Sequence, residues 1–167
     1  MDVVKKPVIV AVSGVKNSGK TTFLENLVAE LKLCGYRAAV IKHDGHEFEP
    51  DVEETDTWKL RKAGAYGTAI FSKGRWMIIK EEPRMDEKRL AEMFPEADFV
   101  LLEGFKYSDY PKFEIVRKGN SAKYVCDPKT LLALVTDTEL RIEGVPTLGL
   151  EEWEKAAEML MELKIKM

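Results

Sequence analysis

A chain of 167 residues is one domain's worth of polypeptide, against roughly 100–200 for an ordinary domain, and 45% hydrophobic with 33% charged residues excludes a disordered chain. The count of 26 basic against 29 acidic side chains leaves a net charge of −3, so no overall positive field draws nucleic acid or an anionic membrane, and neither is expected as a partner. The two cysteines, Cys34 and Cys126, have no C-x-x-C spacing, which excludes a disulfide framework and a zinc ribbon.

In chain order, Val8 to Val12 is a β-branched apolar run, the pattern of a strand buried on both faces, and it leads through Ser13 into a Gly-rich turn. The run is too short for a secretory signal, and no stretch reaches the roughly 18 apolar residues of a membrane span, so the cytoplasm is the expected location. Phe23, Leu24, Leu27, Val28 and Leu31 then mark one face of a helix that Gly35 caps, and Ala38 to Ile41 reads as a second strand. Together these form a βαβ unit with a parallel sheet.

From Glu47 to Asp56 the sequence predicts an acidic loop, followed by a short helix carrying Trp58 and Leu60 and stopped by Gly64. Residues 68–72 and 76–79 flank Lys73-Gly74-Arg75 and predict an antiparallel hairpin whose glycine supplies a positive φ. Further strands are expected at Phe99 to Leu102, ending on Glu103-Gly104, at Phe113 to Val116, at Leu131 to Val135, and at Val145 to Leu148. Trp153, Ala156, Ala157, Leu160 and Leu163 give the last helix an apolar stripe. With no repeat, no linker and Gly-Val-Lys-Asn-Ser-Gly-Lys-Thr at 14–21 between the first strand and the first helix, the expectation is a single phosphate-loop nucleotide-binding domain over 1–167. The expected fold is α/β, of the P-loop NTPase three-layer kind, with a mainly parallel sheet, helices on both faces and an antiparallel hairpin.

Residues 14–21 read Gly-Val-Lys-Asn-Ser-Gly-Lys-Thr, a full match to G-x-x-x-x-G-K-[ST] between a strand and an amphipathic helix. Gly14 and Gly19 let successive backbone N–H groups curl inward at phosphate oxygens, Lys20 spans the terminal phosphates, and the Thr21 hydroxyl binds Mg²⁺. Asn17, Ser18 and Thr22 complete the expected contact set. Lys16 stands one residue late for the extra lysine of the dimer-forming deviant phosphate loops, a place held by Val15, and reads better as a solvated loop lysine. Two neighbouring strand ends carry matching chemistry. Asp98-Phe-Val-Leu-Leu-Glu103 is an apolar strand closed by a carboxylate suited to a Mg²⁺ water or the attacking water. Lys42-His43-Asp44-Gly45-His46 offers two imidazoles and a carboxylate, read either as phosphate-contacting loop residues or as a zinc or nickel site. Asp137 closes its strand as an acceptor for guanine N1–H and N2–H, outside any N-K-x-D pattern.

These pieces resemble the molybdopterin-guanine dinucleotide biosynthesis protein B family, the MobB proteins. The matching segments are G-V-K-N-S-G-K-T-T at 14–22, I-K-H-x-x-H at 41–46, D-T-W-x-x-x-x-A-G-A at 56–65, D-F-V-L-L-E-G-F-K at 98–106 and P-K-F-E-I-V-R at 111–117. The resemblance implies a homodimeric, Mg²⁺-dependent GTP-binding protein with slow hydrolysis. It would assist the molybdenum cofactor guanylyltransferase that joins GMP to molybdopterin. It also places Lys20 and Glu103 in catalysis, Thr21, Glu103 and Asp44 at the metal, and His43, Asp44 and Asp56 beside the γ-phosphate or pterin. Lys106, Lys112 and Arg117 read either as cations for an anionic cofactor or, each taken singly, as solvated charges. The segment before Asp56 departs from the family in reading Glu-Glu-Thr. Two other readings compete: a small-molecule kinase, for which Arg84 and Arg89 are the nearest lid arginines, and a GTP-dependent metallochaperone using His43 and His46. The chain contains no glutamine to orient a hydrolytic water, which favours slow turnover.

Overall fold

The computed structural model describes residues 6–45, 48–83 and 85–166. Where the sequence reads as one domain, the residues group into two compact units, Met1–His43 with Glu87–Met167, and Asp44–Asp86.

The first unit is built on six parallel strands, β1 (Val8–Ser13), β2 (Ala38–Lys42), β5 (Phe99–Glu103), β6 (Lys112–Val116), β7 (Leu131–Thr136) and β8 (Thr147–Leu148). They lie in the order β2-β5-β1-β6-β7-β8. Because β1 is central, both its faces are covered and its sequence is apolar from Val8 to Val12. Val8, Val10 and Val12 point to one side, with Phe99, Leu101, Phe113 and Ile115, against helices α1 (Lys20–Leu33) and α4 (Trp153–Lys166). On the other side Ala11, Val100, Leu102 and Ile41 pack with Ala91 of the short helix α3 (Glu87–Ala91) and with Phe105 and Tyr110. The mainly parallel sheet with helices on both faces is therefore as the sequence predicts.

Helix α1 buries Phe23, Leu24, Leu27 and Leu31, each such burial contributing about 1.5–3 kcal/mol. It ends where Gly35 takes φ 83° and the Tyr36 N–H reaches back to the Leu31 carbonyl, a left-handed stop that only glycine adopts without cost. The strand expected over Val145 to Leu148 is confined to Thr147–Leu148, since Val145 instead makes an antiparallel bridge to Ile142.

Helix α4 is tied to the sheet by Lys164, whose ammonium lies 3.1 Å from Asp98. Burial alone would raise the Asp98 carboxyl, but the Arg37 N–H at 2.9 Å and the Lys164 ammonium outweigh it and hold it below the ordinary value. A carboxyl lowered in the folded state adds stability above its unfolded pKa of about 3.9, and loses it as pH falls through the folded value. Asp98→Asn is thus expected to cost about 1 kcal/mol at pH 7, roughly 2–4 °C in Tm. In thermal melts the gap from the parent closes below about pH 4; a gap that persists at pH 2–3 contradicts the assignment.

In the second unit, helix α2 (Asp56–Lys62) is capped by Thr55, whose side chain accepts the Trp58 N–H. Strands β3 (Gly67–Ser72) and β4 (Arg75–Lys80) form the expected hairpin, with Ser72 opposite Arg75. The turn corrects one detail: neither Lys73 nor Gly74 has positive φ. The Ser72 hydroxyl instead reaches across to the Arg75 carbonyl. Arg61 is 13% exposed and pairs with Glu49 and with Glu81.

Candidate functional site

The loop from Gly14 to Lys20 turns back on itself through three left-handed residues, Gly14 at φ 141°, Asn17 at 61° and Gly19 at 97°. Gly14 is obligatory for space as well as for φ. A Cβ there would lie 2.6 Å from the Ile115 carbonyl oxygen and 2.7 Å from Ser18 Oγ. Gly19 occupies the N-cap of α1, no side chain caps the helix, and its first turn carries no acid. Its leading N–H groups therefore remain available to an anion, with the positive helix end behind them. Ser18 Oγ is buried with no hydrogen-bond partner among the described residues, and Asn120 braces the loop by donating to the Lys16 carbonyl.

Lys20 bends across this loop and donates to the Val15 carbonyl at 2.7 Å. Partial burial lowers its pKa; Glu103 opposes that, while Lys106 and Lys42 reinforce it. Glu103, at the end of β5, accepts from Thr21 Oγ1 at 3.2 Å on each oxygen and lies 3.6 Å from the Lys42 ammonium. Parallel pairing makes this meeting: β1 and β5 run in register from Val8↔Phe99 to Val12↔Glu103, so the carboxylate ends level with the loop that β1 feeds. Ser13 then fixes the two together by donating to the Gly104 carbonyl. One carboxylate among Lys20, Lys42 and Lys106 leaves the mouth of the loop positive, the charge required of an anion site.

The structure thus brings Lys20, Thr21 and Glu103 together with the loop residues Gly14, Asn17, Ser18 and Gly19 and with Thr22 in the first turn of α1. His43 follows β2 on the same unit, its ring edge-on to Phe105 at 5.9 Å. Asp44 opens the second unit and Asp56 begins α2 there, exposed. His46 and Arg84 lie outside the described residues, and among the described residues no three His, Cys, Asp or Glu side chains form a metal-holding group.

One expectation changes. Lys112 is wholly buried, its ammonium bonded to the carbonyls of Phe105 and Ser108 and to the Ser108 hydroxyl, so it shapes the loop after Glu103 and does not face a ligand. Asp137 accepts the Lys118 N–H at 2.6 Å on one of its carboxylate oxygens. Glu114, missed in the sequence, is buried and accepts the Val125 and Cys126 N–H groups. Burial, and then the Glu114 carboxylate, push the Cys126 thiol up to about 12.

Residues 9–137 match the family described as MobB, molybdopterin guanine dinucleotide synthesis protein B. The chain belongs to the MobB family. It is 31% identical over 164 residues to the molybdopterin-guanine dinucleotide biosynthesis adapter protein of Escherichia coli, covering 92% of this chain and 91% of that one. The Haemophilus influenzae adapter protein is 33% identical over 138 residues, 81% and 78% of the two chains. The crystal structure of Bacillus subtilis MobB superposes with a TM-score of 0.73 at 30% identity, over 93% of this chain and 96% of that one. This MobB chain therefore shares its fold with a solved relative over nearly its whole length.

Proposed function

We propose that this chain is a cytoplasmic GTP-binding protein with slow Mg²⁺-dependent hydrolysis that assists attachment of GMP to molybdopterin in molybdenum cofactor biosynthesis. The observation that carries the reading is the Thr21–Glu103 contact beside Lys20 in a chain of the MobB family. The residues fit the ligands on their own chemistry. Gly14 leaves a cradle that a Cβ would fill, Ser18 Oγ is an orphaned donor, and a hydroxyl and a carboxylate meet where a hard cation takes oxygen ligands.

Thr21 and Glu103 would hold the Mg²⁺, which when bound neutralises charge on the phosphates. Lys20 exchanges its two loop carbonyls for phosphate oxygens, and the free N–H groups of α1 orient them. With no glutamine to position water, the isolated protein turns over slowly and awaits a partner. Slow turnover alone, accelerated only when molybdopterin and its guanylyltransferase are added together, is the expected kinetic result. Fast GTP turnover by the isolated protein, or phosphoryl transfer to a small molecule without a partner, contradicts the accessory role and favours a kinase.

The proposal includes a homodimer. The hairpin exposes Phe71 at 85%, Trp76 at 59% and Ile78 at 56%, an apolar two-stranded surface that a second copy would cover. Sedimentation at micromolar concentration is expected to return twice the 19.0 kDa chain mass; the monomer mass rejects it.

A further inference from the structure

Beside the phosphate loop, on the α4 side of the sheet, lies a cleft of about 320 Å³, within the roughly 300–1,000 Å³ of small-molecule sites. Its floor and walls are Phe23, Ile115, Leu150 and Trp153, its rim is Arg117 and Glu151, and Ser18, Gly19 and Thr22 join it directly to the loop. It is an apolar slot with one cation and one anion, continuous with the place where phosphates are expected.

The charged pair at the rim is available. Arg117 follows β6 exposed, and neither its guanidinium nor the Glu151 carboxylate has a hydrogen-bond or ion-pair partner among the described residues. Glu152, the adjacent acid, is already used: its carboxylate accepts the Gly149 N–H at 2.7 Å and pairs with Lys155. That capture, together with the Glu152 N–H on the Gly149 carbonyl, closes the 149–152 turn. Glu151 is thereby held at the rim before α4 begins.

From this geometry we infer that the cleft is the base subsite of the nucleotide and that Glu151 selects guanine. The inference rests on the GTP reading above and gives it a specificity residue. Guanine presents two adjacent donors, N1–H and the 2-amino group, to which an ionised carboxylate offers two acceptors. Adenine presents an unprotonated ring nitrogen on the same edge, which the carboxylate repels. Arg117 and Trp153 supply a planar cation and an indole against which a purine face packs. Asp137, the acceptor suggested by its strand-end position, does not line the cleft.

Competition binding of GTP, ATP and XTP to the parent, Glu151→Ala, Glu151→Gln and Lys20→Ala tests this. The parent is expected to prefer GTP to ATP. Glu151→Ala should lower the GTP-to-ATP affinity ratio by roughly 10- to 100-fold, the effect of losing a charged acceptor for two donors. Glu151→Gln, whose amide can donate to the 2-oxo group of xanthine, should raise the XTP-to-GTP ratio. An unchanged GTP-to-ATP ratio in Glu151→Ala, with all nucleotides still lost in Lys20→Ala, overturns the base subsite and leaves the GTP reading intact. A parent that binds none of the three overturns both.

Discussion

Lys20→Ala is expected to weaken GTP binding by at least about 100-fold, near 3 kcal/mol, while the melting temperature stays within a few degrees of the parent. The two halves of this result come from one observation. Among the described residues the Lys20 ammonium bonds only to carbonyls of its own loop, at 2.7 and 3.4 Å. Partial burial and the neighbouring Lys106 and Lys42 disfavour its charge, although Glu103 favours it. Removing the ammonium takes little from the empty fold, because it costs only two hydrogen bonds to loop carbonyls and no packed apolar contact. It takes from the bound state the cation that already lies across the loop where a phosphate would sit. Parallel measurement of GTP affinity and thermal melting checks both halves. An affinity equal to the parent's removes the phosphate-loop assignment.

Gly14→Ala is expected to damage fold and binding together. Its Cβ would stand 2.6 Å from the Ile115 carbonyl oxygen, and its φ of 141° is open only to glycine. Ile115 cannot yield, since β6 is held between β1 and β7 and Ile115 is registered with Val135. The loop has to move, and it carries the Ser18 and Gly19 amides away from their inward aim. The expected cost is about 2–4 kcal/mol, a drop of roughly 5–15 °C in Tm, with GTP binding lost. Gly19→Ala provides the comparison: nothing lies within 4 Å of its Cβ, so only the strain of φ 97° remains. Thermal melts that rank Gly19→Ala as the more harmful of the two contradict this packing argument.

Much of this was legible because the signals are local. β1 and β5 are apolar runs closed by a glycine loop and by Glu103, and parallel register alone brings Thr21 to Glu103. What stayed hidden depends on which faces are covered. Lys112 and Glu114 alternate with Phe113 and Ile115, and the alternation alone does not say what the charged face meets. Because β6 is central, both charges are buried and serve loop N–H and carbonyl groups. Asp137 has the position of a base acceptor, yet its use by the Lys118 N–H is a contact between two turns, which spacing does not encode. Helix α3 is five residues long and has too few turns for a periodic signal. Glu151 differs from Glu152 only in that the latter is consumed by the Gly149 turn.

Calorimetric titration of GTP into the purified protein, once in excess Mg²⁺ and once in EDTA, tests the central claim most directly. The account predicts one GTP bound per chain, with affinity markedly lower in EDTA because Thr21 and Glu103 act through the cation. Binding of equal strength in EDTA contradicts the Thr21–Glu103 metal assignment, and the absence of any GTP binding in Mg²⁺ contradicts the function itself.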